Sequence, residues 1–120
     1  MKKVYLAGGK GDWRKMACKG IEFIDPMAKD ESFMSIRDYL AWDLFEIKQC
    51  DAILCYMEND NPSGIGMAVE IGYAKALGKL IIYIDQLTDD RARYFGFARE
   101  CGDVIYESLD DALRFLSTIK

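Results

Sequence analysis

The sequence predicts a single α/β domain built on a doubly wound, five-stranded parallel sheet with helices on both faces. Short runs of continuous apolar residues indicate strands that are buried on both sides. These runs alternate with longer segments of helical spacing, as expected for successive strand–helix–strand units. The chain has 120 residues, which is enough for one core, and residues 1–120 contain no linker, repeat or low-complexity segment.

The first predicted strand is KVYLAG (3–8), whose central residues are all apolar. A glycine-rich turn, GGKGD, leads from it into a helix predicted at about 12–20. The second strand, IEFID (21–25), ends at Asp25-Pro26, where proline removes a backbone donor.

Residues 27–35 are predicted to form a loop that precedes a helix at 35–50, SIRDYLAWDLFEIKQC. Apolar side chains recur in this helix three and four positions apart. They are Ile36, Tyr39, Leu40, Leu44 and Ile47.

The second half of the chain continues the alternation of strands and helices. The predicted elements are a strand at 51–57, a turn-rich loop at 58–64, a helix at about 65–77 that stops at Gly78, and a strand at 79–85. A partly helical connection precedes the fifth strand at 103–108, and the chain then closes as a helix. Ser108 is its predicted N-cap, with Asp111 in the third helical position as a variant capping box. Five strands arranged in this way predict a flavodoxin-like sheet of order 2-1-3-4-5.

Composition excludes several classes of function. The net charge is −4 with no basic run, which argues against binding to polymeric nucleic acid. No apolar run approaches the roughly 20 residues of a membrane span, and the N-terminus lacks a signal-peptide pattern, so we expect a cytoplasmic protein without membrane partners. The chain has no histidine and its four cysteines form no CxxC pair, so we expect no metal site and no cofactor. The absence of histidine also excludes Ser-His-Asp and Cys-His catalysis.

Two loops are candidates for substrate binding because ligands of such sheets bind beyond the carboxyl ends of the strands, at the switch point. In AGGKGDWR, Gly8 and Gly9 permit close backbone approach, and Lys10 and Arg14 add positive charge. The glycine spacing matches neither a Walker A motif nor a dinucleotide fingerprint, so a merely flexible turn is the alternative interpretation. The second loop is MENDNPSGIG.

Two acidic residues have unexpected surroundings. Glu70 lies within GIGMAVEIGYAKALGK (64–79), a helix that is otherwise small and apolar, and an ionised carboxylate in such a place needs a partner or a function. A structural ion pair with a lysine or arginine is the alternative. Asp43 lies near the apolar stripe of its helix, where a charge on the helix flank is the alternative interpretation.

Several segments together resemble the nucleoside 2-deoxyribosyltransferase superfamily, which includes deoxynucleoside 5′-monophosphate N-glycosidases. They are VYLAGGKGDWR and DLFEIKQCDAILCYMENDNPSGIGMAVEIGYAKALGK, within about residues 3–85. The resemblance implies that Glu70 is the nucleophile on the anomeric carbon of deoxyribose, that Tyr5 orients it, and that Asp43 handles the proton of the departing base. It also places the sugar contact near Ser63 or Gly64, beside Gly66, although this loop is one residue longer than the family pattern.

The resemblance implies an enzyme that cleaves the N-glycosidic bond of a 2′-deoxynucleoside, or of its 5′-monophosphate, and passes the sugar to another base. Hydrolysis is the alternative outcome, and a non-catalytic nucleotide sensor is a further one. It also implies a homodimer or higher homo-oligomer in which RARYFGF (91–97) contacts a neighbouring subunit, with an ordinary packing helix as the alternative. Electron transfer of the flavodoxin type ranks last because GGKGD lacks the Ser/Thr-rich phosphate loop that flavodoxins need.

Overall fold

The computed structural model describes residues 2–60 and 64–119. Within these ranges the chain forms one sheet of five parallel strands in the order β2-β1-β3-β4-β5. The strands are β1 (Lys2–Gly8), β2 (Ile21–Ile24), β3 (Ala52–Met57), β4 (Leu80–Asp85) and β5 (Val104–Tyr106). The fold class and the strand order predicted from the sequence are therefore confirmed.

Two of the predicted helices begin at serine caps that satisfy free backbone donors. The helices are α1 (Ile36–Gln49), α2 (Ile65–Ala76), α3 (Arg91–Tyr94), α4 (Gly96–Glu100) and α5 (Leu109–Ile119). At the start of α1, Ser35 and Asp38 exchange hydrogen bonds of 3.0 and 3.1 Å in a capping box. The hydroxyl of Ser108 accepts a hydrogen bond of 3.2 Å from the Asp111 amide at the start of α5, as predicted. No helix in residues 2–60 and 64–119 is both long and apolar enough to cross a membrane.

The helix predicted at 12–20 is wrong, because only Asp12–Lys15 form a single 3-10 turn. Trp13 is buried there, and its ring meets the Tyr56 ring edge to face with centroids 5.1 Å apart. Arg14 turns back to donate hydrogen bonds to the backbone at the end of β1. Gly20 then adopts a φ of 84° in the turn that leads into β2.

Side chains of the central strands alternate between two core clusters, one on each face of the sheet. On β1, Val4 and Leu6 belong to the cluster under α5, whereas Tyr5 and Ala7 belong to the cluster under α1, α2 and α4. Val4, Tyr5 and Leu6 are all fully buried, which explains why the strand has a continuous apolar sequence. The alternation directs the Tyr5 side chain toward α2.

We expect Gly8→Ala to lower the free energy of unfolding by about 1–3 kcal/mol. Gly8 has a φ of 149°, and a Cβ atom there would lie 2.6 Å from the Tyr56 carbonyl oxygen on β3. Gly72 on α2 is the matched control, because a Cβ atom there meets nothing within 4 Å and alanine favours the helix by up to about 1 kcal/mol. Urea denaturation of both variants measures the difference, and equal stability of the two would contradict the steric argument.

Candidate active site

Two adjoining cavities open at the carboxyl end of the sheet, where β1 and β3 lead their connections in opposite directions. The larger has a volume of about 560 Å³ and the smaller about 230 Å³. Gly8, Met27 and Glu70 line both of them. Glu70 therefore lies where the two cavities meet, at the position that the topology predicts for a ligand.

A hydrogen bond between Tyr5 and Glu70 joins the sheet to α2 at the floor of these cavities. The Tyr5 hydroxyl donates to Oε2 of Glu70 across 65 positions of sequence. Tyr5 is 0% exposed, so the ring has no freedom to move away. Burial, together with the Glu70 charge, raises the pKa of Tyr5, which keeps the phenol protonated as a donor.

Burial is also the main influence on Glu70. It raises the pKa of this carboxyl from 4.5 to about 7, and the charge of Asp43 adds to the effect. The Tyr5 hydrogen bond and the positive charges of Arg14 and Lys29 act in the opposite direction. Glu70 therefore exists as a mixture of acid and carboxylate near neutral pH, which is unusual for glutamate and typical of a functional group.

Asp43 lines the smaller cavity from α1 and is held by a lysine. Its Oδ1 atom lies 2.8 Å from the Lys29 ammonium. Burial raises the pKa of Asp43, and the Lys29 contact opposes that rise. The fold thus brings together the three side chains that the resemblance singled out, Glu70, Asp43 and Tyr5. Their catalytic roles stay predictions.

Lys29 is a site residue that the sequence analysis missed. It lies after a 3-10 turn (Pro26–Ala28) in a segment predicted only as a loop, without any periodicity that would mark it. Its side chain is 8% exposed, and its ammonium lies 4.4 Å from the centroid of the Trp42 ring. The proximity of Trp42 to Asp43 in the sequence is the one signal that points to this pocket.

The glycine-rich turn forms one wall of the larger cavity. Gly8, Gly9 and Lys10 line it, and Lys10 is exposed at its rim. Arg14 lines the smaller cavity, with a side chain that is only 6% exposed. It donates hydrogen bonds to the carbonyl oxygens of Gly8 and Gly9 and to Asp25, at distances of 2.6 to 3.0 Å. Its guanidinium therefore braces the turn, and direct contact of Arg14 with a substrate stays a prediction.

The opposite wall of the larger cavity comes from the loop before α2 and from the start of that helix. Gly64 and Gly66, two of the predicted binding residues, line it. Ser63 lies outside the described residues. Glu58 and Asp60 also line this wall, and sequence reasoning did not select them as ligands. Burial and the neighbouring Asp60 raise the pKa of Glu58.

The arrangement is suited to nucleophilic chemistry with proton transfer. A carboxylate held by a neutral phenol faces both cavities, and a second carboxyl with an adjustable proton lies on the side of the smaller cavity. Two acids in different environments are the usual requirement for cleavage of a glycosidic bond.

Comparison with known proteins supports the fold. No protein-family model matches the sequence, and no curated protein matches it. Among solved structures, the chain is similar to a 2-deoxyribosyltransferase from Leishmania mexicana, with a TM-score of 0.74 and 21% identity over 99% of both chains. It is also similar to a 2-deoxyribosyltransferase from Bacillus psychrosaccharolyticus, with a TM-score of 0.68 and 18% identity over 98% of this chain and 92% of that one. A CMP N-glycosidase from Clostridium botulinum has a TM-score of 0.59 and 24% identity over 98% and 99% of the two chains.

We expect Glu70→Gln to stabilise the protein at pH 8 and to leave its stability unchanged near pH 4. The pKa of Glu70 is about 7 in the folded state against an ordinary 4.5, so the folded state holds this proton more tightly. Stability is therefore lost as the pH rises from 4.5 to 7, by up to about 3 kcal/mol above that window. Glutamine keeps an acceptor for Tyr5 but carries no charge.

Thermal and urea unfolding of the variant and the parent protein at several pH values measure this effect. Glu22→Gln is the control, because Glu22 is an exposed residue of β2. If the difference in stability between Glu70→Gln and the parent protein did not change with pH, the raised pKa of Glu70 would be contradicted.

Proposed function

We propose that this protein is a nucleoside 2-deoxyribosyltransferase-like enzyme that cleaves the N-glycosidic bond of a 2′-deoxynucleoside or its 5′-monophosphate. Glu70 forms a covalent glycosyl intermediate, and the sugar then passes to another base. One observation carries this proposal: the Glu70 carboxylate is held by the buried Tyr5 hydroxyl at the point where two cavities meet. The likeness to two 2-deoxyribosyltransferases and a CMP N-glycosidase agrees with it.

The shape of the site fits a substrate with two unequal parts. A deoxyribose whose anomeric carbon lies over Glu70 leaves its base within reach of Asp43, which lines the smaller cavity. The rest of the sugar then occupies the larger cavity beside Gly8 and Gly64. The glycines allow backbone amides to approach the sugar hydroxyl groups closely.

In the first half-reaction, Oε of ionised Glu70 attacks the anomeric carbon. The bond between that carbon and the base nitrogen breaks, and its electron pair leaves with the base. The protonated Asp43 gives its proton to the base, which departs neutral. The nearby Glu70 carboxylate stabilises the oxocarbenium character that develops on the sugar before the ester bond forms.

In the second half-reaction, a nitrogen of the incoming base attacks the anomeric carbon. The ester bond to Glu70 breaks and returns its electron pair to the carboxylate. Asp43, now ionised, takes the proton that the incoming base loses. If water attacks instead, the same steps give hydrolysis, which is the alternative activity.

Charge in the larger cavity favours a neutral nucleoside over a 5′-monophosphate. Of the described side chains that line this cavity, Lys10 alone is basic, whereas Glu58, Asp60 and Glu70 are acidic. Arg14 directs its donors to the backbone carbonyls and Asp25 rather than to the larger cavity. A phosphate dianion would therefore meet more like charge than opposite charge here.

We also propose that the protein assembles as a homodimer or higher homo-oligomer through one face of the sheet. The helices α1, α2 and α4 cover that face, and they expose large apolar side chains to solvent. These include Ile36, Leu40 and Phe45 on α1, Ile65 and Val69 on α2, and Phe97 on α4. The described part of α5, on the opposite face, exposes no large apolar side chain. Tyr94, in the segment 91–97 expected to meet a neighbour, is 70% exposed.

We expect Glu70→Gln to reduce the release of base from a 2′-deoxynucleoside by at least about 10³-fold, because no other described carboxylate reaches the same position. Glu22→Gln should retain full activity. The assay is chromatographic separation of products from four deoxynucleosides and four deoxynucleotides, with and without a free acceptor base. Exchange of bases indicates transfer, and free deoxyribose or its phosphate indicates hydrolysis. Retained turnover in Glu70→Gln, or binding without any turnover in the parent protein, would overturn the mechanism.

We expect Val69→Lys to shift the protein to a smaller assembly in sedimentation velocity, because it buries a charge in the proposed interface. Val69 is 52% exposed in the isolated chain, so the change leaves the core intact. Ser117→Lys on the exposed side of α5 is the control and should sediment as the parent protein does. A parent protein that is monomeric at micromolar concentration would refute the proposed assembly.

A further inference from the structure

We propose that Lys29 is a positioning residue that keeps Asp43 ionised after its proton has left with the departing base, so that Asp43 can accept the proton of the incoming base or water. This inference rests on the proposed function. It assigns a role to a buried cation that sequence analysis did not single out.

The Lys29 ammonium makes two hydrogen bonds and a further ion pair within the protein. It lies 2.8 Å from the Pro26 carbonyl oxygen, 2.8 Å from Oδ1 of Asp43 and 3.3 Å from Oε1 of Glu31. Its side chain is 8% exposed, against 22% for Asp43 and 43% for Glu31. Of the two carboxylates that the ammonium contacts, that of Asp43 is the closer, and for this reason Lys29 is assigned a role that it exerts through Asp43.

Two aromatic rings of α1 fix the ammonium further. Its nitrogen lies 4.4 Å from the centroid of the Trp42 ring and 5.7 Å from that of Tyr39. A cation within about 6 Å of a ring face is attracted to it, and more so where water is excluded. The position of the charge beside Asp43 is therefore fixed by the fold and does not depend on a bound ligand.

The other groups around Asp43 mostly oppose its ionisation. Burial raises the pKa of Asp43, and the charge of Glu31 adds to the rise, while the Lys29 ammonium and the Tyr5 hydroxyl lower it. Glu70 shares some of these neighbours. The charge of Asp43 raises the pKa of Glu70, while Tyr5, Arg14 and Lys29 lower it. Among the groups that lower the pKa of Asp43, Lys29 has the largest effect. Among those that lower the pKa of Glu70, it has the smallest.

Asp43 has opposite tasks in the two half-reactions. It gives a proton to the departing base in the first and takes one from the incoming acceptor in the second. Burial next to a second acid favours the protonated form, which is suited only to the first task. The adjacent ammonium stabilises the carboxylate and therefore makes the second task possible near neutral pH.

The experiment compares the parent protein with Lys29→Met, Lys29→Arg and the exposed control Lys48→Met. Methionine keeps an apolar stem of similar length against Trp42 but removes the charge. Rapid-quench measurement of base release gives the rate of the first turnover and the steady-state rate with a saturating acceptor base. Both rates are measured from pH 5.5 to 9, with thermal melting of each variant as a check on folding.

We expect Lys29→Met to lower the steady-state rate at pH 7 about tenfold while the first turnover changes little, so that the ratio of the two rates rises about tenfold. The steady-state rate should recover when the pH is raised by about one unit. Lys29→Arg, which keeps the charge, should retain most of the activity, and Lys48→Met should behave as the parent protein does.

Three outcomes would overturn the inference. The first is an equal fall of both rates without a shift in the pH profile, which is what a purely structural role of Lys29 produces. The second is parent-like behaviour of a folded Lys29→Met. The third is the absence of base release by the parent protein. That result would refute the proposed function itself, and therefore also this inference, which rests on it.

Discussion

The hydrogen bond from Tyr5 to Glu70 is the contact on which the candidate site depends. Tyr5 belongs to the interior strand β1 and is fully buried, so its hydroxyl has a fixed position. The carboxylate that it holds lies on α2, next to the buried stripe formed by Met67, Ile71 and Ala74. A displacement of α2 on the sheet would break this hydrogen bond. The geometry of the site therefore depends directly on the packing of the core.

Two glycines at the mouth of the site allow the close packing that this hydrogen bond requires. Gly64 begins α2 with a φ of 92°, and a Cβ atom there would lie 2.7 Å from the Met57 side chain. The helix can therefore start immediately over the end of β3, which brings Glu70 close to Tyr5. Gly8 makes the equivalent close approach between β1 and β3. Both positions lie at the switch point of the sheet, where the backbone itself must leave room for a ligand.

The sequence predicts the architecture well because the strands are buried on both faces. Continuous apolar runs favour strands that are buried on both faces, as in a parallel sheet, and the caps at Ser35 and Ser108 are local signals. The incorrect prediction of a helix at 12–20 shows what local sequence cannot reveal. Arg14 forms hydrogen bonds with the carbonyl oxygens of Gly8 and Gly9, and these contacts exist only in the folded turn. Lys29 shows the same limit in the site, because its partners Asp43 and Trp42 meet it only after α1 has packed on the sheet.

The two acids of the site share burial but differ in the partner that each receives. Glu70 receives a neutral phenol, which orients the carboxylate without cancelling its charge, as the proposed attack on the sugar requires. Asp43 receives an ammonium, whose full charge lets a buried carboxyl lose and regain a proton. With these partners exchanged, Glu70 would be paired with a full positive charge and Asp43 with a neutral donor. Arg14, the other buried cation close by, is bound to Asp25 and to backbone carbonyl oxygens, which keeps it from pairing with Glu70. The placement of the two buried cations therefore agrees with the different task proposed for each acid.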